Sequence, residues 1–97
     1  MNRMLEFTLD STVTASDPVV SRQVANEIVL LNMETGAYYG LDPVGARMWE
    51  LLSQGNTVRQ VVDTLTPEYD VEAKQLEYDL LEFLARLGAK GLIETGR

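Results

Sequence analysis

The hydrophobic positions of this chain change period near residue 42. Between Val19 and Leu41 they come in short runs, VVSRQV, EIVLL and AYYGL, separated by turn formers, and such runs of β-branched, aliphatic and aromatic residues read as strands. From Val44 onward they recur every three to four residues, the period of amphipathic helices. The first half therefore predicts a three-stranded antiparallel meander over Val19–Val24, 27–31 and 37–41. Ala25-Asn26 is short enough for a tight reversal, and the loop over 32–36 ends on Gly36, which takes positive φ freely. Ile28 and Leu30 point to one face of the middle strand and Val29 and Leu31 to the other, so one apolar face needs cover.

The second half supplies that cover as three helices. Asp42-Pro43 is a helix start, with the carboxylate as N-cap and the proline at the first helical position. Val44, Met48, Leu51 and Leu52 follow at helical spacing with Trp49 beside them, and Gln54-Gly55-Asn56 stops the run. Thr57 and Gln60 have the spacing of a capping box. Val58, Val61, Val62 and Leu65 form the core face of the second helix, and Pro67 is expected to end it. The third helix is expected over 71–87, with Asp70 as its cap and Glu72 in its first turn. Its apolar stripe is Ala73, Leu76, Leu80, Phe83, Leu84 and Leu87, and Gly88 and Gly91 are expected to terminate it. Leu92-Ile93-Glu94 then resumes an extended pattern, as a terminal strand or wing. Before the meander, Leu5, Phe7 and Leu9 alternate with polar residues, so 1–18 reads as an N-terminal arm or weak strand, bounded by Pro18, ahead of a domain over 19–97. The expected fold is α+β, winged helix-turn-helix-like, with a three-stranded antiparallel sheet packed on three helices.

Composition narrows the chemistry. At 97 residues, 45% of them hydrophobic and 24% charged, the chain has the size and chemistry of one globular domain. It contains neither cysteine nor histidine, which removes disulfides, thiolate ligands and the side chain that titrates near neutrality. Without histidine, the serines and threonines lack the usual activating base. No glycine-rich loop is followed by the residues of a nucleotide site. No catalytic constellation, metal site or cofactor site is therefore expected. No apolar run approaches the ~20 residues of a membrane helix, and the N-terminus lacks a signal-peptide core; a cytoplasmic protein is expected. The net charge of −7, from 15 acidic against 8 basic residues, opposes nucleic-acid binding and favours a neutral or basic partner.

Two features stand out against this plain background. Taking 100° per residue, Lys74, Tyr78, Leu81 and Ala85 fall on a second strip of the third helix, roughly 110–170° from the centre of its main stripe. Tyr78 and Leu81 there suggest either a ligand contact or a widened core. Ala37, Tyr38, Tyr39, Gly40 and Leu41 form the last strand of the meander, and no charge, proline or bulge guards its edge. An unguarded edge can accept a peptide strand; alternatively, the tyrosines simply pack on the helices and cap the sheet. Trp49 reads as a core anchor. Two non-peptide roles compete: a dimerising module that pairs edge to edge, and a DNA-binding winged helix, which the acidic third helix disfavours.

EIVLLNMETGAYYGLDPVGARMWELLSQGNTVRQVVDTL, followed by YDVEAKQLEYDLLEFLARLGAKGLIE, resembles the pyrroloquinoline quinone biosynthesis protein D (PqqD) family, also called the RiPP recognition element, RiPP denoting ribosomally synthesised and post-translationally modified peptides. The resemblance rests on the strand-turn-strand ending in Leu41-Asp42, on Gly45 and Trp49-Glu50-Leu51-Leu52, on Thr57-Val58, and on Phe83-Leu84 with Gly91-Leu92-Ile93. In style the chain is similar to the standalone domains of lasso-peptide clusters. The resemblance implies a non-catalytic protein that binds the leader of a precursor peptide against the third strand of the meander. It implies a site made by Ala37, Tyr38, Tyr39, Gly40 and Leu41 with the Lys74, Tyr78 and Leu81 side of the third helix. The implied partners are that precursor leader peptide and a leader peptidase or other modifying enzyme; charge and composition lead to no expected nucleic acid, membrane or cofactor, and the open edge allows a monomer or homodimer.

Overall fold

The computed structural model describes residues 7–96. Its elements, in order, are β1 (Val13–Ala15), β2 (Val19–Val24), β3 (Glu27–Asn32), β4 (Tyr38–Leu41), α1 (Pro43–Ser53), α2 (Val58–Tyr69), α3 (Ala73–Ala89) and β5 (Ile93–Thr95). β2, β3 and β4 make an antiparallel sheet in that spatial order, and β1 pairs with β5 in a separate two-stranded wing. The architecture is α+β and winged helix-turn-helix-like, with the three-stranded sheet packed on the three helices.

Turn chemistry sets the register of the sheet. Val24 lies opposite Glu27, so Ala25-Asn26 is a two-residue reversal, and Ala25 takes φ 57° to make it. In the second turn the Asn32 side chain accepts from the Glu34 and Thr35 N–H groups at 2.8 and 3.1 Å, and Gly36 takes φ 80°. On the inner face Val19, Leu30 and Leu41 are buried in one core with Trp49 and Leu52 of α1, Val58, Val61, Val62 and Leu65 of α2, and Leu76, Leu80, Phe83, Leu84 and Leu87 of α3. No polar or charged side chain among the described residues is buried there.

The helix starts follow the local chemistry. Asp42 accepts from the Gly45 N–H at 2.8 Å, and Thr57 and Gln60 close a reciprocal capping box at 3.2 and 2.8 Å. α1 and α2 are tied by Arg47, which donates to both carboxylate oxygens of Glu68 at 2.8 and 3.0 Å. Those bonds hold the Glu68 carboxyl below the ordinary range.

Three boundaries differ from the sequence expectation. Pro67 lies inside α2, which continues to Tyr69; the missing N–H falls in the last turn, where one lost bond ends little helix. Asp70, expected to cap α3, instead closes α2 in the left-handed region at φ 55° and ψ 49°, a conformation that aspartate tolerates better than most residues. α3 therefore opens at Ala73, behind Glu72, without a side-chain cap. Gly88 is helical, and the stop comes at Gly91, φ 72°. There the Leu92 N–H bonds to the Leu87 carbonyl and the Gly91 N–H to the Gly88 carbonyl, both at 3.0 Å, the paired bonds of a Schellman ending.

The N-terminal stretch also differs. Leu5 lies outside the described residues, and Phe7 and Leu9 belong to no strand. The strand is β1, with Thr14 opposite Glu94 and Val13 buried. The Leu9 and Ser11 carbonyls accept from the Arg59 and Val58 N–H groups at 2.8 and 2.9 Å, satisfying donors that the first turn of α2 leaves free.

Candidate functional site

β4 is an edge strand, and the hydrogen-bond phase shows which of its groups are free. The Asn32 N–H donates to the Ala37 carbonyl at 2.8 Å, so Ile28, Leu30 and Asn32 turn their backbone groups toward β4. Backbone direction alternates along an antiparallel strand. Tyr39 and Leu41, the register partners of Leu30 and Ile28, are thus bonded inward. Tyr38 and Gly40 present their N–H and carbonyl groups to the open edge.

Side chains alternate in the same way. Tyr39 and Leu41 face inward, while Tyr38 stands on the outer face, 75% exposed. A Cβ built on Gly40 would meet nothing within 4 Å, so internal packing does not require a glycine there.

Beside this edge lies a cleft of about 300 Å³ lined by Tyr39, Gly40 and Leu41 of β4, Asp42, Val44, Gly45 and Met48 at the start of α1, and Asp79, Phe83 and Arg86 of α3. Its floor is the buried Leu41, Met48 and Phe83, and Val44 is 41% exposed at its wall. Gly45 leaves room for the helix cap: a Cβ there would crowd the Asp42 carboxylate oxygen at 3.3 Å, while the Phe83 ring and the Leu41 side chain would stand at ordinary contact distances of 3.5 and 3.6 Å. A second hollow of about 300 Å³ continues toward the start of β4, lined by Asn32, Thr35, Ala37, Tyr38, Tyr39, Lys90 and Leu92. The Tyr39 ring borders both, with the Lys90 ammonium 5.6 Å from its centroid.

The structure thus brings Tyr39, Gly40 and Leu41 to the main cleft and Ala37, Tyr38 and Tyr39 to its continuation. Lys74, Tyr78 and Leu81 line neither. Lys74 and Tyr78 are exposed, and Leu81 is half-buried against the core. The α3 residues in the cleft, Asp79, Phe83 and Arg86, occupy the other flank of the helix, roughly 140° away at 100° per residue.

Sequence reasoning placed none of Val44, Met48, Asp79, Arg86 or Lys90 in a site. The available signals were Gly45, a glycine inside a helix, and the i, i+4, i+7 spacing of Asp79, Phe83 and Arg86. Among the described residues no group of three or more His, Cys, Asp or Glu side chains could hold a metal ion. No helix there is long and apolar enough to cross a membrane. The cleft offers a free strand edge, an apolar floor and charged rims, which is equipment for holding an extended peptide.

The profile of the family described as Coenzyme PQQ synthesis protein D (PqqD) matches residues 27–93. Among solved structures, TbiB1 in complex with the TbiA(beta) leader peptide is 45% identical, the match covering 82% of this chain and 93% of that one with a TM-score of 0.79. A lasso peptide synthetase B1 complexed with the leader peptide is 26% identical, covering 84% of this chain and 95% of that one with a TM-score of 0.80. No curated protein is significantly similar to the chain.

Proposed function

The chain belongs to the PqqD family of RiPP recognition elements, and on that premise we propose that its β4 edge captures the leader of a ribosomally made precursor peptide as an added strand. The observation that carries this reading is the unpaired edge at Tyr38 and Gly40 beside an apolar cleft, in a chain 45% identical to a protein solved with a leader peptide. The protein does no chemistry itself. It holds the leader so that the core segment meets a modifying enzyme at high effective concentration.

Backbone pairing along β4 supplies affinity with little demand on sequence, and the cleft selects side chains. A leader strand bonded to Tyr38 and Gly40 places the residues opposite Ala37, Tyr39 and Leu41 on the cleft face, because paired strands share their pleat. Leu41, Met48 and Phe83 suit an apolar anchor at the Leu41 end. The resemblance to a lasso peptide synthetase B1 supports a lasso-type system, with a leader peptidase as the enzyme served.

The test is a titration of isotope-labelled protein with the TbiA(beta) leader peptide. Saturable shifts centred on the Tyr38 and Gly40 amides and the Phe83 ring, with new exchange protection at those two amides, are expected. Absence of binding, or shifts confined to the Tyr78 flank, would overturn the reading.

A further inference from the structure

The groove beside β4 is electrically polar along its length. At the Leu41 end stand Asp42 and Asp79; Arg86 lines the same cleft two turns after Asp79, and Lys90, the residue that closes α3, lines the second hollow. Arg47 and Arg59 are consumed in ion pairs with Glu50, Glu68 and Asp10. Among the described residues neither Arg86 nor Lys90 has such a partner, and both are exposed. Lys90 is held over the Tyr39 ring at the groove lip, which restricts where its ammonium can reach. In a chain of net charge −7, an unpaired cation in the second hollow, with another one turn behind it in the main cleft, forms a local exception to the field.

We propose that Lys90, backed by Arg86 one turn nearer the anchor, selects a carboxylate-bearing side chain of the leader four positions from its apolar anchor; this rests on the strand-addition reading above. The spacing comes from two elements. Positions on a leader strand opposite Leu41 and Ala37 are four residues apart on the same face, about 13 Å. The rise along α3 from Phe83, on the floor beneath the anchor, to Lys90 is about 10 Å, and from Asp79 about 16 Å. An anchor at the Leu41 end therefore brings the residue opposite Ala37 to the Lys90 end. A lysine there would meet Lys90, with Arg86 one turn behind it, whereas at the opposite end it would meet Asp42 and Asp79. The charge order also fixes which way round the strand lies, a choice that edge pairing alone leaves open.

The experiment scans the labelled TbiA(beta) leader peptide, replacing each residue in turn by Asp and by Lys, and measures affinity by fluorescence anisotropy. On the unaltered protein one position, four from the anchor, should prefer Asp over Lys by about tenfold, the preference shrinking as salt is raised. With Arg86→Glu and Lys90→Glu combined, the preference at that position should invert. Arg22→Glu/Lys74→Glu, on the outer sheet face and the far flank of α3, makes the same change in net charge and should invert nothing. Thermal melts confirm that each variant is folded. If the leader binds but no position inverts, the charge-selection proposal fails while strand addition stands. If the unaltered leader does not bind at all, both fall.

Discussion

The two flanks of α3 make an instructive contrast. One carries Lys74, Tyr78 and Leu81, with an aromatic ring 63% exposed, yet no strand edge runs beside it. The other carries Asp79, Phe83 and Arg86, two of them charged, and borders the cleft opposite β4. Exposed apolar area is common on folded proteins and identifies little by itself. A docking site arises where side-chain pockets and unsatisfied backbone groups converge, and only the second flank has both.

The largest expected effect separates the two backbone phases of β4. Gly40→Pro removes an edge-facing N–H while leaving the β3 ladder intact, so leader affinity should fall roughly ten- to a hundredfold with the fold retained. Tyr39→Pro removes an inward donor from the β3 ladder and should destabilise the protein by roughly 1–3 kcal/mol, read by denaturant melts. Equal stability losses in the two variants would break the phase assignment.

Filling the cleft is the next test. Val44→Trp places a large ring at an exposed wall position and should weaken leader binding about tenfold by calorimetry, with stability changed by no more than ~0.5 kcal/mol. On the opposite flank, Leu81→Arg should cost roughly 1–2 kcal/mol of stability, from lost packing against the core, and leave leader affinity unaltered. Tyr78→Ala should change affinity by less than about twofold. If either of these two abolished binding, the assignment of the flanks would be reversed.

The smallest effect lies away from both flanks. Arg47 holds the Glu68 carboxyl below its ordinary range. A carboxyl lowered in the folded state contributes stability above its unfolded value and loses it as pH falls through the folded value. Glu68→Gln should therefore flatten the acid limb of the melting temperature slightly, below about pH 4.5. The pair is solvent-exposed and screened, so the change should be small and should shrink further in high salt.

Much of this protein was legible before any tertiary contact was known. Ala25-Asn26 and Gly36 announced the reversals, Asp42-Pro43 and the Thr57/Gln60 box announced two helix starts, and the Leu76, Leu80, Leu84 and Leu87 spacing announced the buried face of α3. These are local effects, decided by dihedral preference, capping and hydrophobic period. The sequence alone also excluded histidine- and cysteine-based chemistry. What it could not show was that Asp70 closes α2 rather than opening α3, that Val13 pairs its strand with the chain's other end, or that the charged flank of α3 borders the groove. Each depends on groups distant in sequence. A helical period reveals which stripe is buried, but the two flanks of that stripe are equivalent until a sheet edge lies beside one of them.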